Sequence, residues 1–351
     1  MHYIEHYEIR QKSELLKDKY EFGYHGGTFN DSDIKEALIK GYPLTLDIAI
    51  PGKCLNDCVY CGYYEVNSNN KLKYEEIKNI FKNFGKLGGK SIKILGEGEP
   101  LLRKDIISVL EEIINNGLIP VLFTSGDVLG DESLCTKIHG ISNVQLIQKL
   151  NALKCTIVIK YEAQGIKQDL IVNKFGYTEK RDRALDLLMR YGFNEERTTR
   201  LGFGIVLLRD NYLDVPLIFN FALQHNIYPL VCPLMPIGKM KSINNRECLS
   251  PTKNEIRELK ANLCNCKKAN GYDNSYESDF PGGKPCDISR TGFYIDDIGN
   301  AFVCESDDFV GNVRDFSLKE IWDQINVRKW KKYGNARNLG LCFPKRKAQI
   351  I

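Results

Sequence analysis

The chain has 351 residues, 43% hydrophobic and 10% aromatic, enough to bury a sizeable core in two ordinary domains or one large one with an extension. Its 49 basic and 45 acidic residues leave a net charge of +4 with no clustered basic footprint, which argues against nucleic acid as a partner. No apolar run approaches the roughly 18 residues of a membrane span, and the start, Met1-His2-Tyr3-Ile4-Glu5, lacks a secretory pattern, so a soluble cytoplasmic protein is expected.

Residues 1–43 read as a short charged lead. From there short apolar runs alternate with helical patterns. Leu44–Ile50 reads as a strand, and Tyr74, Ile77, Ile80, Phe81 and Phe84 then recur at helical spacing. Ser91–Leu95 is a second strand, followed by a helix carrying Ile106, Leu110 and Ile113 and closed by Gly117. Ile119–Thr124, Cys155–Lys160, Leu201–Leu208 and Ile227–Cys232 complete six strands, with helical stretches between them that include 144–153, 185–191 and one opening at Pro216. Alternation with continuously apolar strands predicts an α/β fold with a parallel sheet covered by helices. Six units predict a partial (β/α)6 TIM-like barrel over 44–240, although an open doubly wound sheet would give the same string. In either geometry ligands collect at the C-terminal ends of the strands.

After residue 240 the pattern changes, and 241–351 is expected to form a Cys-rich extension. Thr252 and Glu255 fit a capping box. A loop rich in Gly, Asn, Asp and Pro covers 269–285. Phe293 to Val303 reads as a hairpin bent at Gly299-Asn300, and a last helix starts at Ser317.

Twelve cysteines in a chain without an export signal point to metal binding or catalysis more than to disulfides. Cys155 sits in an apolar run and reads as a core thiol. Cys54, Cys58 and Cys61 follow the first strand directly, on the ligand-binding face. Thiolates select zinc, copper(I) or iron–sulfur clusters. Structural zinc wants a fourth ligand, and the candidates, His25 and Cys135, are remote in sequence.

A C-x3-C-x2-C loop after the first strand, with Tyr60 before its last cysteine, resembles the radical S-adenosylmethionine superfamily. The resemblance implies a [4Fe–4S] cluster on Cys54, Cys58 and Cys61. The iron left free would be chelated by the methionine part of S-adenosylmethionine, which is cleaved reductively to a 5′-deoxyadenosyl radical. Glu97-Gly98-Glu99-Pro100 after the second strand resembles the family's Gly-Gly-Glu-Pro segment, which implies that Gly98 allows close backbone approach and Glu99 faces the methionine ammonium. Glu97 stands where that segment has its first glycine. Tyr60, Ser125 after strand three, Lys160 and Glu162 after strand four, and Gly204 in strand five are the further cofactor contacts the resemblance implies. Lys160 with Glu162 would equally make a surface ion pair.

The spacing of Cys286, Gly299 and Cys304, followed by Gly311-Asn312 and Ile321-Trp322, resembles the C-terminal SPASM/Twitch extension of many such enzymes. Only Cys342 remains where a full SPASM domain has four cysteines. The implied count is therefore one auxiliary [4Fe–4S] cluster, held by Cys286, Cys304, Cys342 and one of Cys264 and Cys266. A zinc site on the same thiolates competes. An electron donor of flavodoxin or ferredoxin type is implied as partner.

Two substrate branches follow from the resemblance: dehydrogenation or epimerisation of a small polar, carbohydrate-like molecule, or maturation of a ribosomally made peptide. The short lead, too small for a leader-binding domain, favours the small molecule. Cys232, closing strand six, is a candidate hydrogen-atom donor for epimerisation, or simply a buried strand-end residue. A non-catalytic electron carrier would have no use for the glycine–acid turn. The histidines form no constellation.

Overall fold

The computed structural model describes residues 23–62, 70–272, 287–305 and 309–333. In chain order the elements are α1 (Asp31–Lys40), β1 (Thr45–Ile48), α2 (Tyr74–Lys86), β2 (Ser91–Ile94), α3 (Ile106–Asn115), β3 (Ile119–Thr124), α4 (Asp127–Gly130), α5 (Glu132–His139), α6 (Asn143–Ala152), β4 (Thr156–Lys160), α7 (Gly165–Val172), α8 (Tyr177–Arg190), β5 (Leu201–Val206), α9 (Val215–Gln224) and β6 (Tyr228–Cys232). They continue with α10 (Ile243–Leu249), α11 (Lys253–Ala269), α12 (Asp287–Thr291), β7 (Gly292–Ile295), β8 (Asn300–Phe302), β9 (Phe309–Asn312) and α13 (Leu318–Tyr333).

The strands form around β-branched and apolar residues buried against the helices, Leu46 and Ile48 in β1 and Ile92 and Ile94 in β2; β2 is buried at all four positions although Ser91 and Lys93 alternate with the isoleucines. The helices form on the opposite logic. In α2 only Ile77, Ile80, Phe81 and Phe84 are buried, one stripe that packs on the sheet while the charged face stays wet. The capping box expected at Thr252 is present, with both reciprocal hydrogen bonds to Glu255 made.

The sheet is an arc in the order β6-β5-β4-β3-β2-β1-β7-β8-β9. All pairs from β6 through β1 are parallel, the partial barrel expected from six units. The expected separation at 240/241 is not a break in this sheet. Strand β7 adds in parallel to the free edge of β1, Thr45 opposite Gly292 and Ile48 opposite Ile295, and the expected hairpin then extends the same sheet antiparallel.

The described part of the lead is more than a tail. Tyr24 bridges to Thr199, is 2% exposed, and sets its ring 4.9 Å from that of Tyr228. It packs with Val121 and Val158, inward residues of β3 and β4. Among the described residues no helix is long and apolar enough to cross a membrane.

Trp322 on α13 joins three parts of the fold. It is 1% exposed, its ring lies 5.7 Å from Phe293 on β7, and its Nε1–H donates to the Gly41 carbonyl at 2.6 Å. Trp322→Ala should lower unfolding stability by about 3–5 kcal/mol. Trp322→Phe, which keeps an aromatic ring but leaves the Gly41 carbonyl only the longer bond from Asn326 at 3.4 Å, should cost about 1–2 kcal/mol. Denaturant titration of both variants checks the ranking.

Candidate functional site

At the C-terminal ends of the strands lies a cavity of about 490 Å³, within the range of sites for small ligands. Its wall includes the 52–62 loop after β1, the 96–99 turn after β2, Thr124 and Ser125 after β3, Lys160 and Glu162 after β4, Gly204–Val206 of β5 and Cys232 of β6. The loop is held by backbone bonds: Asp57 N–H to the Val172 carbonyl at 3.1 Å, Val59 N–H to Ile171 at 2.9 Å, and Glu99 N–H to Lys53 at 2.7 Å. The last contact demands glycine at 98, whose φ is +109° and where a Cβ would stand 2.5 Å from the Lys53 oxygen. Arg103 adds a bond to the Pro51 carbonyl at 2.5 Å while paired to Asp105.

Glu99 is 3% exposed and fully engaged. Its carboxylate accepts from Leu101 N–H at 3.1 Å, Thr124 Oγ1 at 2.7 Å, and Ser125 N–H and Oγ both at 2.6 Å. Burial raises its pKa and these bonds oppose the rise. With four acceptor positions filled, Glu99 locks the β2 turn to the end of β3. A direct bond to a ligand's ammonium, the role expected for it, would have to displace one of these donors.

Glu97 is different. Its φ is +27°, between Gly96 at +78° and Gly98 at +109°, a left-handed conformation that costs a residue with a Cβ about 1–2 kcal/mol. Burial, with Asp297 and Asp296 adding and Lys71 opposing, pushes its pKa up to about 7.

Lys160 and Glu162 meet inside the site, so the surface-pair reading is overturned. Their charges are 3.4 Å apart, with Glu162 1% exposed and the Lys160 side chain 22%. The Tyr60 hydroxyl bonds both side chains, and the Lys160 ammonium lies 4.7 Å from the Tyr60 ring centroid. Burial alone would lower the Lys160 pKa, but Cys58, Glu162 and Tyr60 outweigh it and hold the ammonium well above its ordinary value. Gln168 supports the arrangement, donating to Glu162 Oε2 at 2.8 Å and accepting from the backbone N–H of Glu162 and Ala163. The fully buried Arg181 braces Gln168 in turn.

Sequence reading missed several residues that shape the rim. Asp127, 1% exposed, accepts from Asn56 at 2.8 Å, lies 3.0 Å from the Ser125 hydroxyl oxygen, and pairs with Lys174 at 2.6 Å. Tyr177 donates to the Ser125 carbonyl at 2.6 Å. Lys239, beyond β6, pairs with Asp57, donates to the Cys58 carbonyl at 3.0 Å, and gives its backbone N–H to Cys61 at 3.0 Å. None of these lies in a local motif. The one available signal was position just after a strand, which applies to Asp127.

Cys54, Cys58 and Cys61 all face the cavity. Burial raises all three thiols, Cys54 to about 11; Cys58 adds to the rise at Cys54, and Cys61 to that at Cys58. Three soft donors on one wall, neighbours to one another and needing positive charge to ionise, fit the three-cysteine iron–sulfur cluster. Among the described residues no three Cys, His, Asp or Glu side chains meet closely enough to share a single metal ion.

Of the rear cysteines expected to hold an auxiliary cluster, Cys264, Cys266 and Cys304 lie within the described residues. Cys264 and Cys266 lie on α11, which packs on α9, and the Cys266 thiol faces the Pro216 carbonyl at 3.5 Å. Cys304 follows β8, while Cys286 and Cys342 fall outside the described residues.

The family model for the Radical SAM superfamily matches residues 48–222. Among curated proteins the chain is 28% identical to a probable GTP 3′,8-cyclase of Methanocaldococcus jannaschii over 61% of this chain and 66% of that one. It is 26% identical to the GTP 3′,8-cyclase of Limosilactobacillus fermentum over 80% and 81%. The alignments to the first two curated relatives span 66% and 34% of their lengths. Among solved structures, Streptococcus suis SuiB bound to precursor peptide SuiA matches with a TM-score of 0.58 and 17% identity, over 83% of this chain and 68% of that one. Native anSMEcpe with bound AdoMet gives 0.56 and 16%, over 85% and 88%. At these identities the two structures share the fold.

The contact at Gly98 makes a sharp prediction. Gly98→Ala should destabilise the protein by about 1–3 kcal/mol and reduce iron incorporation, because the cysteine loop must move. Gly117→Ala, with φ +70° but nothing within 4 Å of its added Cβ, should cost about 1 kcal/mol and leave iron uptake alone. Denaturation and iron counts on both variants check it.

Proposed function

The chain belongs to the radical S-adenosylmethionine superfamily and is an iron–sulfur enzyme, and from that premise we propose that it abstracts hydrogen from a small polar, carbohydrate-like substrate to dehydrogenate or epimerise it. One observation carries the reading. The three thiols, the Glu99-locked turn and the Lys160–Glu162 pair all line a single cavity of about 490 Å³. A cavity of that size takes about one drug-sized ligand, so any substrate sharing it with the cofactor is held to a small molecule or to one residue of a longer chain. When bound, cluster and cofactor supply one electron and a 5′-deoxyadenosyl radical. Lys160 offers the cofactor's carboxylate a fixed ammonium, Glu162 and Tyr60 hold that ammonium in place, and Ser125 and Gly204 flank the space between.

Cys232 lies on the same cavity wall, at the end of β6. In an epimerisation its S–H would give a hydrogen atom to the substrate carbon radical. The thiyl left behind would be returned to thiol by one electron and one proton. A flavodoxin- or ferredoxin-type protein would supply that electron, as it does the one for the cluster.

Peptide maturation is the second reading, favoured by the fold shared with SuiB, whose structure holds its precursor peptide. An auxiliary cluster on Cys286, Cys304, Cys342 and one of Cys264 and Cys266 belongs to the proposal. Of these, Cys264, Cys266 and Cys304 are described, and Cys266 already sits in the α9–α11 contact.

Anaerobic reconstitution with iron and sulfide counts tests the clusters. About eight irons should fall to about four in a Cys54/Cys58/Cys61 triple alanine variant. Four falling to none would remove the auxiliary cluster and with it the electron sink for dehydrogenation. Under strong reductant the wild type should form 5′-deoxyadenosine from S-adenosylmethionine, and failure to do so would sink the radical reading. Cys232→Ala should block stereoinversion and divert turnover to unproductive cofactor cleavage. Normal inversion by that variant, followed by solvent-deuterium incorporation, would discard the thiol donor.

A further inference from the structure

We propose that Lys239 is a positioning residue for the iron–sulfur cluster: it clamps the closing turn of the cysteine loop and supplies a fixed positive charge that favours the cluster's reduced state. The inference rests on the radical-enzyme reading above and deepens it by giving a role to a residue outside the loop. Lys239 stands 181 residues beyond Cys58 in the chain, in the segment that follows β6. Two close approaches press that segment onto the loop. At Gly238, where φ is +51°, a Cβ would stand 2.2 Å from the Gly62 carbonyl oxygen and 2.6 Å from that of Cys61. A Cβ on Gly62 would stand 2.6 Å from the Ile237 side chain. Glycine at both positions lets the two stretches lie against each other, and the Lys239 N–H closes the seam with a bond to the Cys61 carbonyl at 3.0 Å. The segment is also held from behind. Asn245 donates to the Lys239 carbonyl at 3.1 Å, Arg246 donates to the Met240 carbonyl at 2.7 Å, and Met240 is 1% exposed.

The side chain then turns toward the ligands. Its ammonium donates to the Cys58 carbonyl at 3.0 Å and pairs with the Asp57 carboxylate, so this one residue bonds the main chain of two of the three cluster cysteines. The pairing does not cancel the charge where the cluster would sit. The Asp57 side chain is 67% exposed and screened by water, whereas that of Lys239 is 23% exposed and lines the cavity wall that carries the thiols. Burial raises the Cys61 thiol, and Lys160 and then Lys239 oppose the rise, so the field of this ammonium reaches the sulfur. A reduced cluster carries one more negative charge than an oxidised one, and a fixed positive charge beside it shifts the equilibrium toward reduction. The electron comes from the flavodoxin- or ferredoxin-type donor, and Lys239 makes and breaks no covalent bond.

The test is a redox titration of the full reconstituted protein, followed by electron paramagnetic resonance. The front cluster's signal is the one missing from the Cys54/Cys58/Cys61 triple alanine variant. Lys239→Gln, which removes the charge but keeps a donor for the Cys58 carbonyl, should disfavour reduction about tenfold, a fall of about 59 mV for one electron. Lys239→Arg, which keeps the charge, should stay within about twofold of wild type. Asp57→Asn, which removes the exposed carboxylate, should favour reduction by no more than about threefold. An unchanged potential in Lys239→Gln overturns the proposal, and so does an equal fall in Lys239→Arg, which would mark a steric role. Loss of the front cluster's iron from Lys239→Gln would make the residue an anchor without a part in reduction, and overturns it too. A wild type without a front-cluster signal sinks the radical reading and the proposal together, whereas a signal indifferent to Lys239 sinks the proposal alone.

Discussion

The site depends on a close approach of two backbones. Gly98 passes beneath Lys53 so that the Glu99 N–H reaches the Lys53 carbonyl at 2.7 Å, and from that contact the cysteine loop is suspended over the strand ends. Its far side hangs from the end of α7 through Asp57 and Val59. Main-chain bonds fix much of the path of the loop, and Asn56, Asp57 and Tyr60 tie it to Asp127, Lys239 and Glu162. Glu99 fastens the same turn from below, its four donors drawn from the turn itself and from the end of β3. The β1, β2 and β3 rims are therefore tied to one another through this turn.

Electrostatics divides the cavity into two halves. On one side Lys160 is kept charged by Cys58, Glu162 and Tyr60 despite its burial, an ammonium whose desolvation cost has already been met by its neighbours. On the other, Glu97 is half-buried, with the charges of Asp297 and Asp296 opposed by Lys71. A bound molecule bridging the two would be aligned by opposite fields at its ends. Orientation of that kind comes from charges fixed before binding, which need no reorganisation when the ligand arrives.

How much of this was legible in the sequence follows from how local each feature is. The six barrel strands announce themselves through apolar runs, and the structure leaves β3 unchanged and shortens the others by one to three residues without moving any. The residues just after strands, Cys54 to Cys61, Glu99, Ser125 and Lys160, could be singled out because topology alone sends them to one rim. The surface-pair alternative for Lys160 and Glu162 could not be dismissed that way, since burial of a polar pair depends on Tyr60 and Gln168, which come from other elements. Asn56 with Asp127, Lys239 with Asp57, and Arg181 with Gln168 join side chains separated in sequence, and no periodicity marks such meetings. The tyrosine plug at residue 24 was hidden for the same reason. Its segment carries no pattern, only one ring that fits.

The parallel seam between β1 and β7 has a consequence for how this chain is made. Strand β1, completed at Ile48, waits for Gly292–Ile295 to cover its edge. During synthesis nearly the whole barrel emerges from the ribosome with that edge unpaired. Such a strand is a template for pairing with another chain, and long-range parallel partners close slowly. The period between translation of the first strand and the seventh is therefore when a nascent chain would lean hardest on chaperones, and crowding several ribosomes on one message would be the condition that exposes it.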